Sequence, residues 1–165
     1  MIRRILLGFC LMLAIPVKAA TIRLVDDAGQ TLEFSRPPQR IIALTPHLTE
    51  LLFAVGAGGQ VVGADSASDF PQAAQTLPRV GDYSRINFER ILELKPDLVI
   101  VWVGGNRAAD IHGLKKMGLP VLHTQAARLD DVARLLRLIG RVSGHAGQGE
   151  AAARDFSDRM AELRR

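Results

Sequence analysis

The fold of this chain is decided by two stretches, residues 40–71, RIIALTPHLTELLFAVGAGGQVVGADSASDFP, and residues 77–105, LPRVGDYSRINFERILELKPDLVIVWVGG. Short apolar runs over 41–44, 61–64 and 98–102 each end in a polar or glycine-rich loop, with helical patterns between them. This alternation predicts an α/β fold, a mostly parallel sheet flanked by helices. Ligands of such sheets bind at the loops that leave the carboxyl ends of the strands. We therefore expect the functional site in those loops.

The same pattern continues on both sides of these stretches. Residues 21–34 predict a small hairpin, because apolar and polar residues alternate around a turn cluster at 26–29. A helix is predicted from Pro46 through Val55, with Glu50 in its first turn. The remaining predicted elements are a helix capped by Asn87, helices over 106–117, 129–142 and 148–165, and a strand over 120–123.

The first residues have the features of an export signal. Arg3 and Arg4 precede an apolar segment over 5–15, which is too short to span a bilayer, and a small-residue cleavage site predicts a cut after Ala19. A lipoprotein anchor at Cys10 is the less favoured alternative, since a bulky phenylalanine precedes the cysteine. With the cut after Ala19, residues 1–19 are removed together with the single cysteine, so no disulfide or thiol chemistry is expected afterwards.

Composition and motifs exclude several classes of function. The chain has 21 Lys and Arg against 17 Asp and Glu, and losing the three basic residues of the leader leaves 18 against 17. This balance does not indicate nucleic-acid binding, which needs a basic patch. No second apolar run is long enough for a membrane span. The sequence also lacks a glycine-rich nucleotide loop, a nucleophile elbow and a set of metal-ligand residues.

Several segments, in this order, resemble the helical-backbone periplasmic binding proteins that serve ABC importers for cobalamin, ferric siderophores and haem. They are residues 40–63, the loop ending Asp69-Phe70-Pro71, the segment Pro78-Arg79-Val80-Gly81 and residues 87–100. The continuation WVGGN over 102–106 and the segment Pro46-His47-x-Thr49-Glu50 resemble the cobalamin-binding branch most.

The resemblance implies two Rossmann-like α/β lobes joined by one long helix, with the ligand between them. This chain resembles the first lobe over 40–147, preceded by the hairpin and linker over 20–39 and followed by the start of the joining helix over 148–165. The last helical pattern runs off the terminus without a glycine or proline stop. That ending is typical of a truncated chain, and a genuine short product is the alternative.

The resemblance also implies a set of ligand-binding residues: Pro46, His47, Tyr83, Trp102 and Gly104. Tyr83 and Trp102 lie where the cobalamin branch places aromatics against the corrin, and flat rings suit a flat macrocycle. The alternative for Trp102 is a core side chain that closes the end of a strand. For His47 a metal-ligand role and an ordinary surface role are both open.

Two neighbouring positions qualify the ligand prediction. Ala67 stands where the cobalamin branch has a further aromatic, which leaves a different corrinoid or another ligand open. Phe70 is expected to pack beneath its own loop. Arg85, Arg107 and Arg128 are interpreted as ordinary solvated charges.

Glu89 is the candidate for docking on the transporter. It matches the glutamate that each lobe of this family presents to arginines of the permease, and the alternative is a favourable charge at a helix start. The sequence thus predicts an exported, non-enzymatic binding protein that captures cobalamin or a related corrinoid and delivers it to a permease and its ATPase. It needs no cofactor or metal of its own. The alternatives are a haem or ferric-siderophore binder of the same family and a secreted α/β enzyme.

Overall fold

The computed structural model of the protein describes residues 21–82 and 84–165. The predicted signal peptide over 1–19, Cys10 and Tyr83 therefore lie outside the described residues. The strands are β1 (Ile22–Val25), β2 (Thr31–Phe34), β3 (Ile41–Ala43), β4 (Val61–Ala64), β5 (Leu98–Trp102) and β6 (Val121–Thr124). The helices are α1 (Pro46–Ala54), α2 (Phe88–Glu93), α3 (Ala108–Lys116), α4 (Leu129–Ser143) and α5 (Ala146–Leu163), with short 3₁₀ turns at Gly58–Gln60 and Gln72–Thr76.

Strands β3 to β6 form one parallel sheet in the order β4-β3-β5-β6, while β1 and β2 form a separate antiparallel hairpin. The predicted α/β class and hairpin are confirmed. From β3 the chain passes to β4 on one side and then crosses to β5 on the other side of β3. The loops that follow β3 and β5 therefore diverge, which is the arrangement that opens a crevice at the carboxyl edge of a parallel sheet.

The sheet has an apolar core on each face, because alternate side chains of a strand point in opposite directions. Ile41, Ile100 and Leu122 pack with α1 and α4, and the hairpin closes over the same cluster through Leu24. The opposite face is formed by Ile42, Leu44, Val99, Val101 and Val121, which pack with α2, α3 and the loop before α2. Strands buried on both faces explain why the apolar runs of the sequence are continuous rather than alternating.

Two helix starts and the place of one residue within a helix differ from the sequence expectations. Glu50 lies in the second turn of α1, so its predicted first-turn position is wrong; the helix already begins at Pro46, whose fixed φ suits a first helical position. Helix α3 begins at Ala108, because the Asn106 side chain is engaged elsewhere. Helix α5 begins at Ala146 rather than at residue 148, since Gly144, with φ of 82°, ends α4 abruptly.

Helices α4 and α5 approach each other backbone to backbone. A Cβ atom built at Gly140 would lie 2.8 Å from the Gly149 Cα, and one built at Gly149 would lie 2.7 Å from the Leu136 carbonyl oxygen. Only glycine fits at both positions, since such distances leave no room for a methyl group. None of the helices in the described part of the chain is both long enough and apolar enough to cross a membrane.

The hairpin is fastened to β6 by the buried carboxylate of Asp26. Its Oδ2 accepts a hydrogen bond from the His123 backbone N–H at 3.1 Å and lies 2.5 Å from His123 Nδ1. Its Oδ1 accepts from the N–H groups of Ala28 and Gln30. Burial alone would raise the pKa of Asp26, but the hydrogen bonds from Gln30 and His123 outweigh it and hold this pKa below its usual value.

We predict that Asp26→Asn removes a pH-dependent part of the stability. With its pKa lowered in the folded state, the carboxylate stabilises the fold above the unfolded pKa of about 4, and this contribution is lost as the pH falls through the lowered value. The variant should lose about 1–3 kcal/mol of unfolding free energy at pH 7. It should also show a shallower decline between about pH 5 and pH 3 in urea titrations followed by circular dichroism.

The matched control is Glu33→Gln, which removes an exposed hairpin carboxylate that pairs with Arg23. This control should change stability little, because exposed ion pairs contribute little. Parallel pH profiles for the wild type and Asp26→Asn would contradict the assignment.

Candidate functional site

A concave pocket of about 420 Å³ lies at the carboxyl edge of the sheet, where the loops after β3, β4 and β5 meet. Its lining residues are Thr45, Pro46, His47, Asp65, Ser66, Ala67, Asp82, Trp102 and Gly105. Each loop contributes because the three parallel strands end at the same edge. The pocket therefore occupies the place at which open α/β sheets bind their ligands.

Asn106 holds the loop after β5 against the end of β3. The Trp102 backbone N–H donates to Asn106 Oδ1 at 2.8 Å, and Asn106 Nδ2 donates to the Leu44 carbonyl oxygen at 2.9 Å. The Asn106 side chain is buried, so both bonds are shielded from water. A buried amide that satisfies two backbone groups fixes the separation of the two loops on either side of the pocket.

Trp102 forms the apolar wall of the pocket. Its indole is half-buried and meets the imidazole of His47 edge to face, with ring centroids 5.3 Å apart and planes at 90°. His47 is the second residue of α1, so the start of that helix places its ring. Burial lowers the pKa of His47, which favours the neutral imidazole near pH 7, and its Nε2 is buried without a hydrogen-bond partner among the described residues.

Two glycines make room for the indole. A Cβ atom built at Gly105 would lie 2.2 Å from Trp102 Cε3, and one built at Gly104 would lie 3.0 Å from Trp102 Nε1. Gly105 lines the pocket, whereas Gly104 lies against the ring without lining it. The close approach shows why glycines follow this strand: they let the loop fold back over a large aromatic side chain.

The polar groups of the pocket come from the ends of β3 and β4. Thr45 Oγ1 is buried without a hydrogen-bond partner in the described part of the chain. Asp65 is only 5% exposed, and its Oδ1 accepts from the Ala67 N–H at 2.8 Å. Burial raises the pKa of Asp65. Unpaired buried polar atoms are uncommon in proteins, so Thr45 and His47 offer unused hydrogen-bonding capacity beside the pocket.

The loop after β4 is fixed by Ser68 and Arg79. Ser68 Oγ lies 3.0 Å from Thr49 Oγ1 on α1, and Arg79 Nη1 donates to the carbonyl oxygens of Asp65 and Ser68. Because these polar groups occupy the inner side of the loop, Phe70 remains 65% exposed. The expectation that Phe70 packs beneath its own loop is wrong. Ala67 lines the pocket with its small side chain.

The structure brings together three of the predicted ligand-binding residues, Pro46, His47 and Trp102. Sequence reasoning missed Thr45, Asp65 and Asp82, although the first two each come within two residues of the end of a buried strand. The position of Thr45 and Asp65 just after buried strands was the sequence signal that could have identified them as pocket residues. The described residues contain no group of three or more His, Cys, Asp or Glu side chains placed to hold a metal ion.

Glu89 lies outside the pocket. It is the exposed second residue of α2, and the helix is capped as predicted, with Asn87 Oδ1 accepting from the Arg90 N–H at 2.9 Å. A second pocket, of about 540 Å³, lies at this helix start and is lined by Arg85, Ile86, Asn87, Phe88, Arg107 and Asp110. Arg107 is tied to this region, because its Nη1 donates to the Ser84 carbonyl oxygen at 2.9 Å. Glu89 is therefore exposed on the surface and is not among the residues that line the pocket.

A model of the family described as periplasmic binding protein matches residues 41–165, which include the whole parallel sheet. The chain belongs to this family. The resemblance drawn from the sequence motifs is thereby confirmed. The description of this family refers to binding and not to a catalysed reaction.

Relatives within the periplasmic binding protein family include curated proteins named for vitamin B12. The vitamin B12-binding protein of Vibrio parahaemolyticus is 36% identical over 130 residues, which are 79% of this chain and 47% of that protein. The one from Pectobacterium atrosepticum is 40% identical over 126 residues, 76% of this chain and 45% of that protein. The chain spans about half the length of the curated relatives it matches.

Solved structures of the family agree with the fold. The periplasmic vitamin B12-binding protein of Vibrio cholerae superimposes with a TM-score of 0.74 at 38% identity, covering 78% of this chain and 50% of that one. A periplasmic heme-binding protein from Pseudomonas aeruginosa gives a TM-score of 0.71 at 29% identity, covering 76% of this chain and 45% of that one. The same fold therefore occurs in proteins named for two different tetrapyrrole ligands.

We predict that Gly105→Ala displaces the indole of Trp102. The added methyl group would overlap the ring, so the side chain or the loop must move at a cost of about 1–3 kcal/mol in unfolding free energy. The emission maximum of Trp102, the only tryptophan, should shift measurably. Gly59→Ala is the matched control, because a Cβ atom there meets nothing within 4 Å. Identical spectra for both variants would contradict the tight packing.

Proposed function

We propose that this chain captures cobalamin or a related corrinoid as the binding component of an ABC importer. One observation carries the proposal: the indole of Trp102 is fixed at the carboxyl edge of the sheet, between the diverging loops after β3 and β5. The names of the relatives support the choice of ligand, since curated proteins matching most of this chain are vitamin B12-binding proteins.

The proposed mechanism is capture without covalent chemistry. A flat macrocycle buries a large apolar area against an indole, and the ring loses little rotational freedom because Gly104, Gly105 and His47 already hold it. Pro46 and Ala67 extend the apolar surface, while Thr45 and His47 offer hydrogen-bonding atoms that have no partner among the described residues. Such preorganisation raises affinity by reducing the ordering cost of binding.

Haem is the second candidate ligand, and His47 favours it. A neutral imidazole is a common ligand of iron, and burial keeps the pKa of His47 low enough for the neutral form near pH 7. The family neighbours named for heme binding support the same alternative. Cobalamin and haem are therefore tested side by side.

The first experiment is a calorimetric titration of the chain with cobalamin, haem and a ferric siderophore. We expect saturable binding of cobalamin, and we expect Trp102→Ala to weaken it at least about tenfold because the main stacking surface is lost. Met117→Ala is the control, since Met117 is an exposed apolar residue at the far end of α3. Saturable binding of haem alone, weakened by His47→Ala, would replace the corrinoid with the second candidate.

We further propose that Glu89 docks the chain on the permease, in the periplasm after export. Glu89 is exposed at the start of α2, and the described ion pairs leave it without a cationic partner. Its carboxylate complements the positive end of the helix and remains available to a basic side chain of another protein. This arrangement suits docking because the transporter can contact α2 without displacing Trp102 or His47 from the pocket.

We predict that Glu89→Gln weakens transporter engagement while leaving ligand affinity unchanged. Loss of one exposed interfacial charge should reduce complex formation with the permease and ATPase by about three- to tenfold in a pull-down or surface-binding measurement at low salt. Glu93→Gln is the control, because Glu93 lies on the same helix and already pairs with Arg90. Equal losses from both variants, or a matching loss of ligand affinity, would contradict the docking role.

A further inference from the structure

The charged groups lining the pocket are two carboxylates, Asp65 and Asp82, called here the Asp65–Asp82 pair. Asp65 comes from the end of β4, and Asp82 comes from the loop before α2. The lining contains no lysine or arginine, as far as the described residues extend. Two carboxylates with no cation in the same lining make the electrostatic potential at the pocket wall more negative, and the nearby charge of Arg79 offsets part of this effect at Asp65.

Each carboxylate is held in place by hydrogen bonds to its own loop. Asp82 Oδ1 accepts from the Ser84 hydroxyl at 2.6 Å and from the N–H groups of Ser84 and Arg85. These bonds lower the pKa of Asp82 and so favour its charged form. Asp65 Oδ1 accepts from the Ala67 N–H, and the described hydrogen bonds leave Oδ2 of both residues unused.

The nearby arginines do not neutralise the Asp65–Asp82 pair by direct contact. Arg79 directs its guanidinium to the carbonyl oxygens of Asp65, Ser68 and Gln75. Arg85 and Arg107 line the separate pocket at the start of α2. Within residues 21–82 and 84–165, neither carboxylate of the pair takes part in an ion pair.

We propose that the Asp65–Asp82 pair determines ligand specificity, admitting macrocycles whose side chains donate hydrogen bonds and rejecting those that carry carboxylates. An amide side chain of a ligand would donate to the free Oδ2 atoms, whereas a carboxylate would face like charge at short range. The inference rests on the proposed capture of a corrinoid and adds the chemical class that the pocket distinguishes. Neutral amide-bearing corrinoids fit this class, and macrocycles with free propionates do not.

The first test needs no ligand and uses Trp102, the only tryptophan, as a probe of the local potential. Fluorescence quenching by iodide, an anion, is compared with quenching by neutral acrylamide at constant ionic strength. In the double variant Asp65→Asn/Asp82→Asn, the ratio of the iodide to the acrylamide quenching constant should rise about two- to threefold, because two negative charges that line the same pocket as the indole are removed.

Asparagine preserves the acceptor oxygen that each loop uses, so these variants are suited to keep the fold, and acrylamide quenching reports any change in exposure. The control is the double variant Asp158→Asn/Glu162→Gln, which changes two exposed residues of α5 and alters the net charge by the same amount. Its quenching ratio should stay at the wild-type value. A double variant that behaves like this control would overturn the proposal.

The second test compares two corrinoids that share the same corrin macrocycle. Dicyanocobinamide carries amide side chains, and dicyanocobyrinic acid carries carboxylates in their place. The wild type should bind the amide form at least about tenfold more tightly, and the double variant should reduce this preference to about threefold or less. Equal affinity of the wild type for both corrinoids would overturn the proposed selectivity. If the wild type binds neither corrinoid, the proposed capture function is overturned instead. The quenching ratio would then be the remaining test of whether the Asp65–Asp82 pair makes the pocket negative.

Discussion

The amide of Asn106 is the contact on which the pocket depends. A parallel sheet leaves backbone groups unpaired where its strands end, and the loops after β3 and β5 depart in opposite directions. By accepting from the Trp102 N–H and donating to the Leu44 carbonyl oxygen, one side chain satisfies a backbone group in β5 and another just after β3, and it holds the two loops at a set distance. The position of the indole, its contact with His47 and the opening between the loops all follow from that distance.

Polar side chains also bond to backbone groups at other strand ends of the molecule. The Asp97 carboxylate accepts from the backbone N–H groups of Gln39 and Arg40 just before β3, and Asp26 joins the end of β1 to β6. In each case a short side chain with paired polar atoms replaces the hydrogen bonds that the sheet no longer provides. Polar residues at the ends of buried strands therefore contribute to the fold and, at Asp65, also form the wall of the site.

The fold was predictable because its signals are local. The apolar runs at 41–44 and 98–102 specify buried strands by composition alone, and Asn87 marks a helix start through a bond within four residues. The site was predictable only in part. The rule that ligands bind at loops leaving the carboxyl ends of strands identified His47 and Trp102. The roles of Asn106 and Asp82 depend on neighbours far along the chain, which local sequence does not reveal. The exposure of Phe70 depends on the polar side chains that already fill the inner side of its loop.

The glycine contact between α4 and α5 has a mechanical consequence. Where Gly140 and Gly149 meet, no side chain lies between the two helices, so their backbones are in direct contact at this crossing. If α5 slid or rotated against α4, a Cα atom would overlap the opposing backbone. We therefore expect the two helices to move together as a rigid unit. A pull or twist applied to α5 is thus transmitted through α4 to the face of the sheet that it covers, rather than absorbed at the crossing.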